Sequence, residues 1–252
     1  MRLQRILPLL LALLLLAGCA SVPQHKVHYR LIEAQSGRLT TGKAILLPLK
    51  IKVKEMTASG ITEVVPTWTE VGNNNFSASL QRNQQTLFGN MTWVNPPALD
   101  EAEATLLDQH IALNETVVSN AVAVTNALSG NAWTHKRKHF DYSIGPGLAF
   151  LADRTGADKA ILVMGEDVRS SGGRKAAFVV LAAFGVGIPL GHAVTFANII
   201  DLRSGDILWM NQHVSVGELG YLDGKHTDRI VQDLFKEYPG IDSYRQWLAN
   251  SK

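Results

Sequence analysis

The sequence predicts an α/β (α+β) fold: a mixed sheet of about five to six strands flanked by helices, built as a single domain. Three observations support this prediction. Segments with the two-residue period of strands interleave along the chain with segments of helical period. Glycine and proline residues mark the boundaries between them. Hydrophobic residues make up 46% of the 252 residues, which is enough for one large core.

The beginning of the chain has the composition of a signal peptide. Arg2 and Arg5 form a basic start, and residues 6–16 are an almost unbroken apolar run. Gly18 ends a small-residue cleavage site, and the next residue, Cys19, is the only cysteine of the chain. The apolar run is too short to span a bilayer, which takes about 20 residues.

This ending resembles the lipobox of bacterial lipoproteins. The resemblance implies that residues 1–18 are removed, that the cut falls between Gly18 and Cys19, and that Cys19 receives fatty acyl chains such as palmitate. Three acyl chains hold a protein on a membrane permanently, whereas one is marginal. No aspartate follows the cysteine, so the resemblance favours the periplasmic face of the outer membrane over inner-membrane retention. An uncleaved membrane anchor and an ordinary secretory leader are the alternatives.

The charge composition argues against nucleic acid as a partner. The chain has 24 basic and 22 acidic side chains, and two of the arginines lie in the leader, so the mature chain is neutral overall. A nucleic-acid-binding surface needs a basic excess. Because one cysteine cannot form an intrachain disulfide, the periplasmic domain depends on core packing for its stability.

In the first half, residues 19–43 are polar and predict a flexible tether between the lipidated cysteine and a domain at 44–240. This domain begins with a strand over Ala44–Val53, in which lysines alternate with apolar residues. A row of lysines on the solvent face is typical of a strand at the edge of a sheet. The predicted elements that follow are a weaker edge strand at 61–71 containing Pro66, a helix capped by Asn73–Asn75 and ended by Gly89, a strand at 91–94, and a long helix at 99–128.

The second half has a more regular pattern. A short helix closed by Gly156 leads into a strand at 159–168, and a polar turn follows. The remaining predicted elements are a buried strand at 193–202, its hairpin partner at 207–216, an amphipathic helix at 227–238 and a short tail helix within 241–252.

Residues 37–43 match the spacing of a phosphate-binding loop, but their context argues against nucleotide binding. Ala44 follows Lys43 and offers no hydroxyl for magnesium. A phosphate loop also needs a strand before it and a helix after it, whereas a tether precedes this segment and a strand follows it. We therefore predict no nucleotide partner.

The sequence predicts no enzyme, no cofactor and no metal site. His135 and His139 have the one-turn spacing of a metal pair, but the basic residues between them oppose a cation. We interpret this segment as a solvated basic turn near anionic lipid head groups. Glu166 and Asp167 are interpreted as a solvated strand end whose carboxylates point to opposite faces. The sequence has no nucleophile motif, and Cys19 is taken by lipid.

The uncharged segment from Ala176 to Ile200 is the remaining candidate site. Its twenty-five residues include no Asp, Glu, Lys or Arg. The length suits a membrane span, but glycines and Pro189 in the middle would break a helix. We interpret the segment as a buried helix, a turn and a buried strand, and the alternative is a surface that contacts lipid or sister subunits. The residues predicted for such partner or membrane contact are Ala176, Phe178, Phe184, Val186 and Ile188.

Four motifs of the second half are Phe140–Gly147, Gly156–Asp158, Ser170–Arg174 and Asp201–Trp209. Together they resemble a family of uncharacterised proteobacterial lipoproteins. More distantly, their order is similar to the α/β domain shared by the curli secretion channel lipoprotein and the amino-terminal domain of TolB. In the channel protein, the stretch that corresponds to the uncharged segment forms a membrane-spanning β-hairpin.

The anchor, the tether and the lack of any convergent set of reactive residues together predict a non-catalytic, partner-binding protein of cell-envelope assembly or secretion. Its expected partners are the membrane, through the lipid on Cys19, and envelope proteins or further copies of itself. The alternative function is that of a subunit in an oligomeric outer-membrane pore or secretion gate, which the uncharged segment would favour.

Overall fold

The computed structural model describes residues 25–34, 39–125, 133–217 and 220–250. The strands are β1 (Lys26–Val27), β2 (Lys43–Leu46), β3 (Lys50–Met56), β4 (Thr62–Val64), β5 (Thr92–Val94), β6 (Lys159–Ser170), β7 (Gly191–Asp201) and β8 (Ile207–Val216). The α-helices are α1 (Tyr29–Ala34), α2 (Pro66–Phe88), α3 (Glu101–Thr125), α4 (Thr134–Lys138), α5 (Ala149–Thr155), α6 (Gly172–Ala183), α7 (Gly224–Phe235) and α8 (Ile241–Asn250), and a 3₁₀ turn at Pro146–Leu148 precedes α5.

All eight strands belong to one mixed sheet in the order β1-β8-β7-β6-β2-β5, with β3 and then β4 attached beside the second half of β6. The central strand, β6, is parallel to β2 and β3 and antiparallel to β7. The predicted class, a mixed sheet flanked by helices, is confirmed. The strand number is not, because the described part of the chain has eight strands where five to six were expected.

Helices pack against both faces of the sheet, so the first half of β6 is buried on both sides. Ile161 and Val163 belong to the apolar cluster that includes α2, α7 and α8. Leu162 and Met164 belong to the second cluster, with α3 and α5. Neighbouring residues of a strand point to opposite faces, and this explains why the β6 sequence is a continuous apolar run rather than an alternating one.

Residues 25–34 pack against the domain, contrary to the flexible tether predicted over residues 19–43. β1 pairs antiparallel with β8, and Leu31 of α1 is buried. His25 is fully buried, with its Nδ1 2.7 Å from Glu237 Oε2 and its Nε2 3.0 Å from the carbonyl oxygen of Gly240. His25 therefore bonds to the carboxyl-terminal region, a contact that local composition cannot reveal.

The strand predicted at 61–71 is mostly wrong. Only the three residues of β4 are extended there, and Pro66 begins the long helix α2 instead of marking an edge strand. Proline suits the first position of a helix because the N–H that it lacks would have no partner within the helix. Asn73–Asn75 consequently lie inside α2 and do not cap it, whereas Gly89 follows the helix as predicted.

The long helix predicted at 99–128 is present as α3, and residues 126–132 lie outside the described part. The helix start is fixed by a reciprocal pair of hydrogen bonds. The N–H of Glu103 donates to Asp100 Oδ1 at 2.8 Å, and the N–H of Asp100 donates to Glu103 Oε2 at 3.1 Å. α3 then lies across the sheet with its apolar side in the second cluster.

The second half of the structure follows its prediction closely. Gly156 ends α5 in the left-handed conformation that favours glycine. β7 and β8 form the predicted hairpin. Asp223 caps α7 by accepting the N–H of His226 at 2.9 Å. The predicted tail helix is present as α8, which buries Tyr244 and Trp247.

Candidate functional site

The residues predicted for signal cleavage and lipid attachment, Gly18 and Cys19, lie outside the described part of the chain. The lipid anchor therefore stays a prediction. The described chain begins at His25, six residues after the cysteine, so a lipid on Cys19 would hold the domain by a short connection.

The connection between β6 and β7, residues 171–190, is a helical excursion from one end of the sheet. Ser171 caps α6 by accepting the N–H of Arg174 at 3.2 Å. After α6 the chain turns and returns to β7 without regular structure. Arg174 Nε donates to the carbonyl oxygen of Pro189 at 2.9 Å, and this bond joins the two ends of the excursion at its base.

From Ala176 onward, the helix of the excursion is apolar on all sides and yet largely exposed. Within α6, Arg174 alone is buried. Val179 is 67% exposed, Val180 is 60% exposed and Phe184, in the turn, is 80% exposed. The prediction of a buried helix for this segment is wrong, because no described element covers these side chains.

The five residues predicted for partner or membrane contact all lie in the excursion. Ala176, Phe184 and Val186 are exposed, and Phe178 and Ile188 are half-buried. The second half of the uncharged segment behaves as predicted, because it forms the buried strand β7. No helix in the described ranges is both long enough and apolar enough to cross a membrane.

A groove of about 500 Å³ lies between α3 and one face of the sheet. Asp108, Glu115 and Ser119 of α3 form one wall, and Lys50 and Lys52 of β3 lie on the other. The apolar part of the lining comes from Ile111, Ala112, Met164, Val194 and Phe196. The groove thus combines an apolar floor with charged walls of both signs.

The charges of the groove are only partly paired. Lys50 Nζ lies 2.9 Å from Asp108 Oδ1, so one ion pair bridges the sheet and α3. Lys52 and Glu115 are exposed and form no ion pair with any described residue. These two side chains leave one cation and one carboxylate available on opposite walls.

The sequence interpretation missed this groove. Lys50, Lys52 and Lys54 were expected on the solvent face of an edge strand, but β3 lies between β4 and β6. The polar residues beside the apolar stripe of α3 are visible in the sequence. Nothing in the sequence, however, places α3 opposite β3, because the two elements are far apart along the chain.

Glu166 and Asp167 are not a solvated strand end, because both lie within β6. Asp167 is fully buried, and its Oδ2 accepts the N–H of Tyr221 at 2.9 Å. Glu166 lies on the other face, with Oε2 2.6 Å from Lys54 Nζ. The two carboxylates point apart, as predicted. Burial raises the pKa of the Tyr221 hydroxyl above its usual range, and this hydroxyl bonds to Thr195 Oγ1 at 2.8 Å.

The histidines of the basic turn contact aromatic rings. His135 stacks on Trp133, and His139 stacks on Tyr29 with ring centroids 3.9 Å apart. Among the residues that the structure describes, no three His, Cys, Asp or Glu side chains are grouped so that they could hold a metal ion. The turn forms the short, largely exposed helix α4.

The segment that resembles a phosphate loop is described only from residue 39 onward. The N–H of Lys43, where β2 begins, donates to Asp158 Oδ1 at 2.8 Å. A carboxylate therefore lies beside the backbone N–H that a phosphate would need.

No protein-family model matches the chain, and no curated protein matches it. Three solved structures match the chain with low structural similarity. The LpoB C-terminal domain from Salmonella enterica has 9% identity and a TM-score of 0.30, covering 75% of this chain and 96% of its own. The PelC dodecamer from Paraburkholderia phytofirmans has 8% identity and a TM-score of 0.28, covering 80% and 89%. Lipoprotein GNA1162 from Neisseria meningitidis has 10% identity and a TM-score of 0.30, covering 79% and 97%.

TM-scores of this size carry no argument about what this chain binds or does. One of the three structures is described as a lipoprotein and one as a dodecamer. The resemblance to the curli secretion channel lipoprotein and to TolB stays a prediction.

Proposed function

We propose that this chain is a membrane-anchored periplasmic lipoprotein whose domain binds a protein partner and catalyses no reaction. The groove between α3 and the sheet carries the proposal. An apolar floor with a few polar groups around it is typical of a binding site. Within the described residues, the carboxylates near this groove lie beside lysines or alone, and they do not converge on a common point.

The two walls of the groove define the chemistry of the partner. Lys52 offers a cation to an acidic group, and Glu115 offers a carboxylate to a basic group. Val194 and Phe196 give an apolar floor between the walls. We therefore expect a partner segment that presents an apolar side chain flanked by charges of opposite sign. Charges arranged in this way favour one docking register over others.

The leader supports the remainder of the proposal. Removal of residues 1–18 and acylation of Cys19 would hold the domain on the periplasmic face of the outer membrane. The domain would extend from His25 to Asn250 and so include the tail helix. Its role would lie in cell-envelope assembly or secretion, with covalent lipid as its sole attached group.

Photo-crosslinking in intact cells tests the proposal. We place a photoreactive amino acid at Ser119, which lines the groove and is exposed. We expect one discrete crosslinked product, which charge reversal by Lys52→Glu together with Glu115→Lys abolishes. Gln85, exposed on α2 and on the opposite face of the sheet, is the matched control site.

The same crosslinked pattern at positions 119 and 85 would contradict the proposal. A product at position 119 that survives both charge reversals would contradict the assigned role of Lys52 and Glu115. Circular dichroism of the double variant checks that the domain keeps its fold.

A subunit of an oligomeric outer-membrane pore or secretion gate is the second candidate function. The exposed apolar surface of the excursion favours it, because a neighbouring copy could cover Val179, Val180 and Phe184. Lipidated protein extracted in mild detergent should then form a ring in negative-stain images. A monomer under these conditions would exclude this candidate.

A further inference from the structure

We propose that the excursion, residues 171–190, inserts into the surface of the lipid bilayer that holds the acyl chains of Cys19. The inference rests on the proposed lipid anchor and assigns an occupant to the exposed apolar surface. The contact is confined to one leaflet. The domain would thus be held at two points, by its lipid and by its own side chains.

The composition of the excursion favours lipid over protein as this occupant. The fifteen residues from Ala176 to Leu190 include no polar side chain. A protein–protein interface carries about one hydrogen bond per 100–200 Å² and a polar rim, and this surface has no side-chain donor or acceptor to contribute. A hydrocarbon environment needs none. Val179, Val180 and Phe184, each at least 60% exposed, would leave water on insertion.

The backbone sets the depth of insertion. The N–H groups of residues 184–186 donate to carbonyl oxygens in the last turn of α6. At the base, Arg174 and Ser170 donate to carbonyl oxygens of the return segment. That segment is otherwise irregular, and irregular backbone does not occur in the lipid-exposed hydrocarbon centre. Insertion therefore stops at about 5–10 Å. α6, about 18 Å long, also falls short of the roughly 30 Å hydrocarbon core.

The described start of the chain faces the same end of the sheet as the excursion. β6 ends where the excursion begins, and its antiparallel neighbour β7 starts there, so Val216 at the end of β8 lies at this end too. β1 is antiparallel to β8, with Lys26 opposite Met210, so the chain approaches β1 from the side of Val216. The chain from Cys19 to His25 reaches at most about 20 Å, and β8 from Met210 to Val216 spans about 20 Å. A lipid on Cys19 can thus reach the level of the excursion.

Two further groups at this end suit a membrane surface. Val214 and Val216, near the end of β8, are 54% and 78% exposed and add apolar side chains at this end of the sheet. Lys175 is exposed at the base of α6, at the level where anionic head groups would lie.

Depth-dependent fluorescence quenching tests the proposal on the full-length lipoprotein. The protein is reconstituted in vesicles of phosphatidylethanolamine and phosphatidylglycerol. Because Cys19 is the only native cysteine and would be acylated, Phe184→Cys provides a single site for an environment-sensitive dye. We expect brominated phospholipids to quench this dye and aqueous iodide to leave it unquenched.

Gln85→Cys is the matched control, since residue 85 is exposed near the end of α2, toward the opposite end of the sheet. Its dye should respond to iodide and not to brominated lipid. Iodide quenching at position 184 equal to that at position 85 would overturn the proposal. Protection of position 184 from both quenchers would also overturn it, because a protein, such as a second copy, would then cover the surface.

The anchor is tested separately, so the two proposals can fail independently. Mass spectrometry that finds an unmodified Cys19 would refute the lipid anchor whatever the dye reports. Flotation of the mature Cys19→Ser chain, expressed without residues 1–18, with the same vesicles measures insertion without the lipid. We expect Phe184→Asp in that background to weaken binding about tenfold or more, the equivalent of one large apolar side chain. Val71→Asp, at an exposed valine on α2, should leave it unchanged.

Discussion

The uncharged run from Ala176 to Ile200 divides into two halves with opposite environments. Residues 176–190 belong to the exposed excursion. Residues 191–200 form most of β7, in which Ala197 and Ile199 are fully buried. β7 has a strand on each side and helices on both faces, whereas the excursion departs from the sheet. A charge-free run therefore predicts that its side chains are removed from water. The surface that covers them can belong to another molecule instead of the same chain.

The polar residues of the two halves sharpen this contrast. β7 includes Thr195, which is fully buried and whose Oγ1 bonds to the Tyr221 hydroxyl at 2.8 Å. A protein core accepts polar groups where it provides partners for them. The excursion has no such side chain between Ala176 and Leu190. Freedom from polar groups, more than freedom from charge, separates the two halves.

The largest expected difference between the halves is in the free energy of unfolding. Ile199→Ala should destabilise the domain by about 2–5 kcal/mol, because it opens a cavity in the core. Val179→Ala, at a position 67% exposed, should change stability by less than about 0.5 kcal/mol. Urea unfolding followed by circular dichroism measures both. Equal losses would show that α6 packs against the domain in solution.

The two faces of β6 provide a second comparison, with a smaller effect. Asp167→Asn should cost about 1–3 kcal/mol, because the buried carboxylate accepts the Tyr221 N–H and lies 3.5 Å from Arg169. Glu166→Gln should cost less than about 1 kcal/mol, since its pair with Lys54 is partly exposed. The same denaturation assay compares them. A larger loss for Glu166→Gln would mean that the groove face is the more tightly packed one.

The smallest expected effect is the pH dependence of stability that arises from Lys26 in β1, the strand that covers the edge of β8. Burial, together with the charge of Arg137, lowers the pKa of Lys26 from 10.5 to about 8. Above pH 8 the unfolded chain therefore binds more protons than the folded chain, so the free energy of unfolding should rise with pH. We limit the range to about pH 9.5 because tyrosines ionise near their usual pKa of about 10. Urea midpoints across this range measure the slope.

Lys26→Met is the control for this pH dependence. The variant should be more stable at pH 7, because no charge is desolvated, and its midpoint should change less between pH 8 and 9.5. An unchanged slope in the variant would assign the effect to another group.

The features predicted correctly from the sequence depend on local signals. Gly156 after a short apolar helix, the turn between β7 and β8, and the apolar period of α7 each specify an element through neighbouring residues. The five predicted contact residues also fall together, because they are close in sequence. The buried helix predicted for their segment was wrong, since composition does not reveal whether another element covers it.

The features that were missed depend on contacts between distant parts of the chain. His25 bonds to Glu237, and Lys50 pairs with Asp108, over separations of 212 and 58 residues. Polar residues at 25–34 look the same in a tether and in a docked segment until their partners are known. For the same reason, lysines on a groove wall look like lysines on a solvent-facing edge.

The shortness of β1 has a mechanical consequence for a domain anchored as proposed. Any tension on the lipid enters the fold through this strand, which pairs with β8 at two residues. The hydrogen bonds of such a short strand break one residue pair at a time, while the pairing among the long strands β6, β7 and β8 carries no force. Detachment of residues 25–34 would then lengthen the connection by about 35 Å. Under load, the domain could stand farther from the membrane without unfolding its sheet.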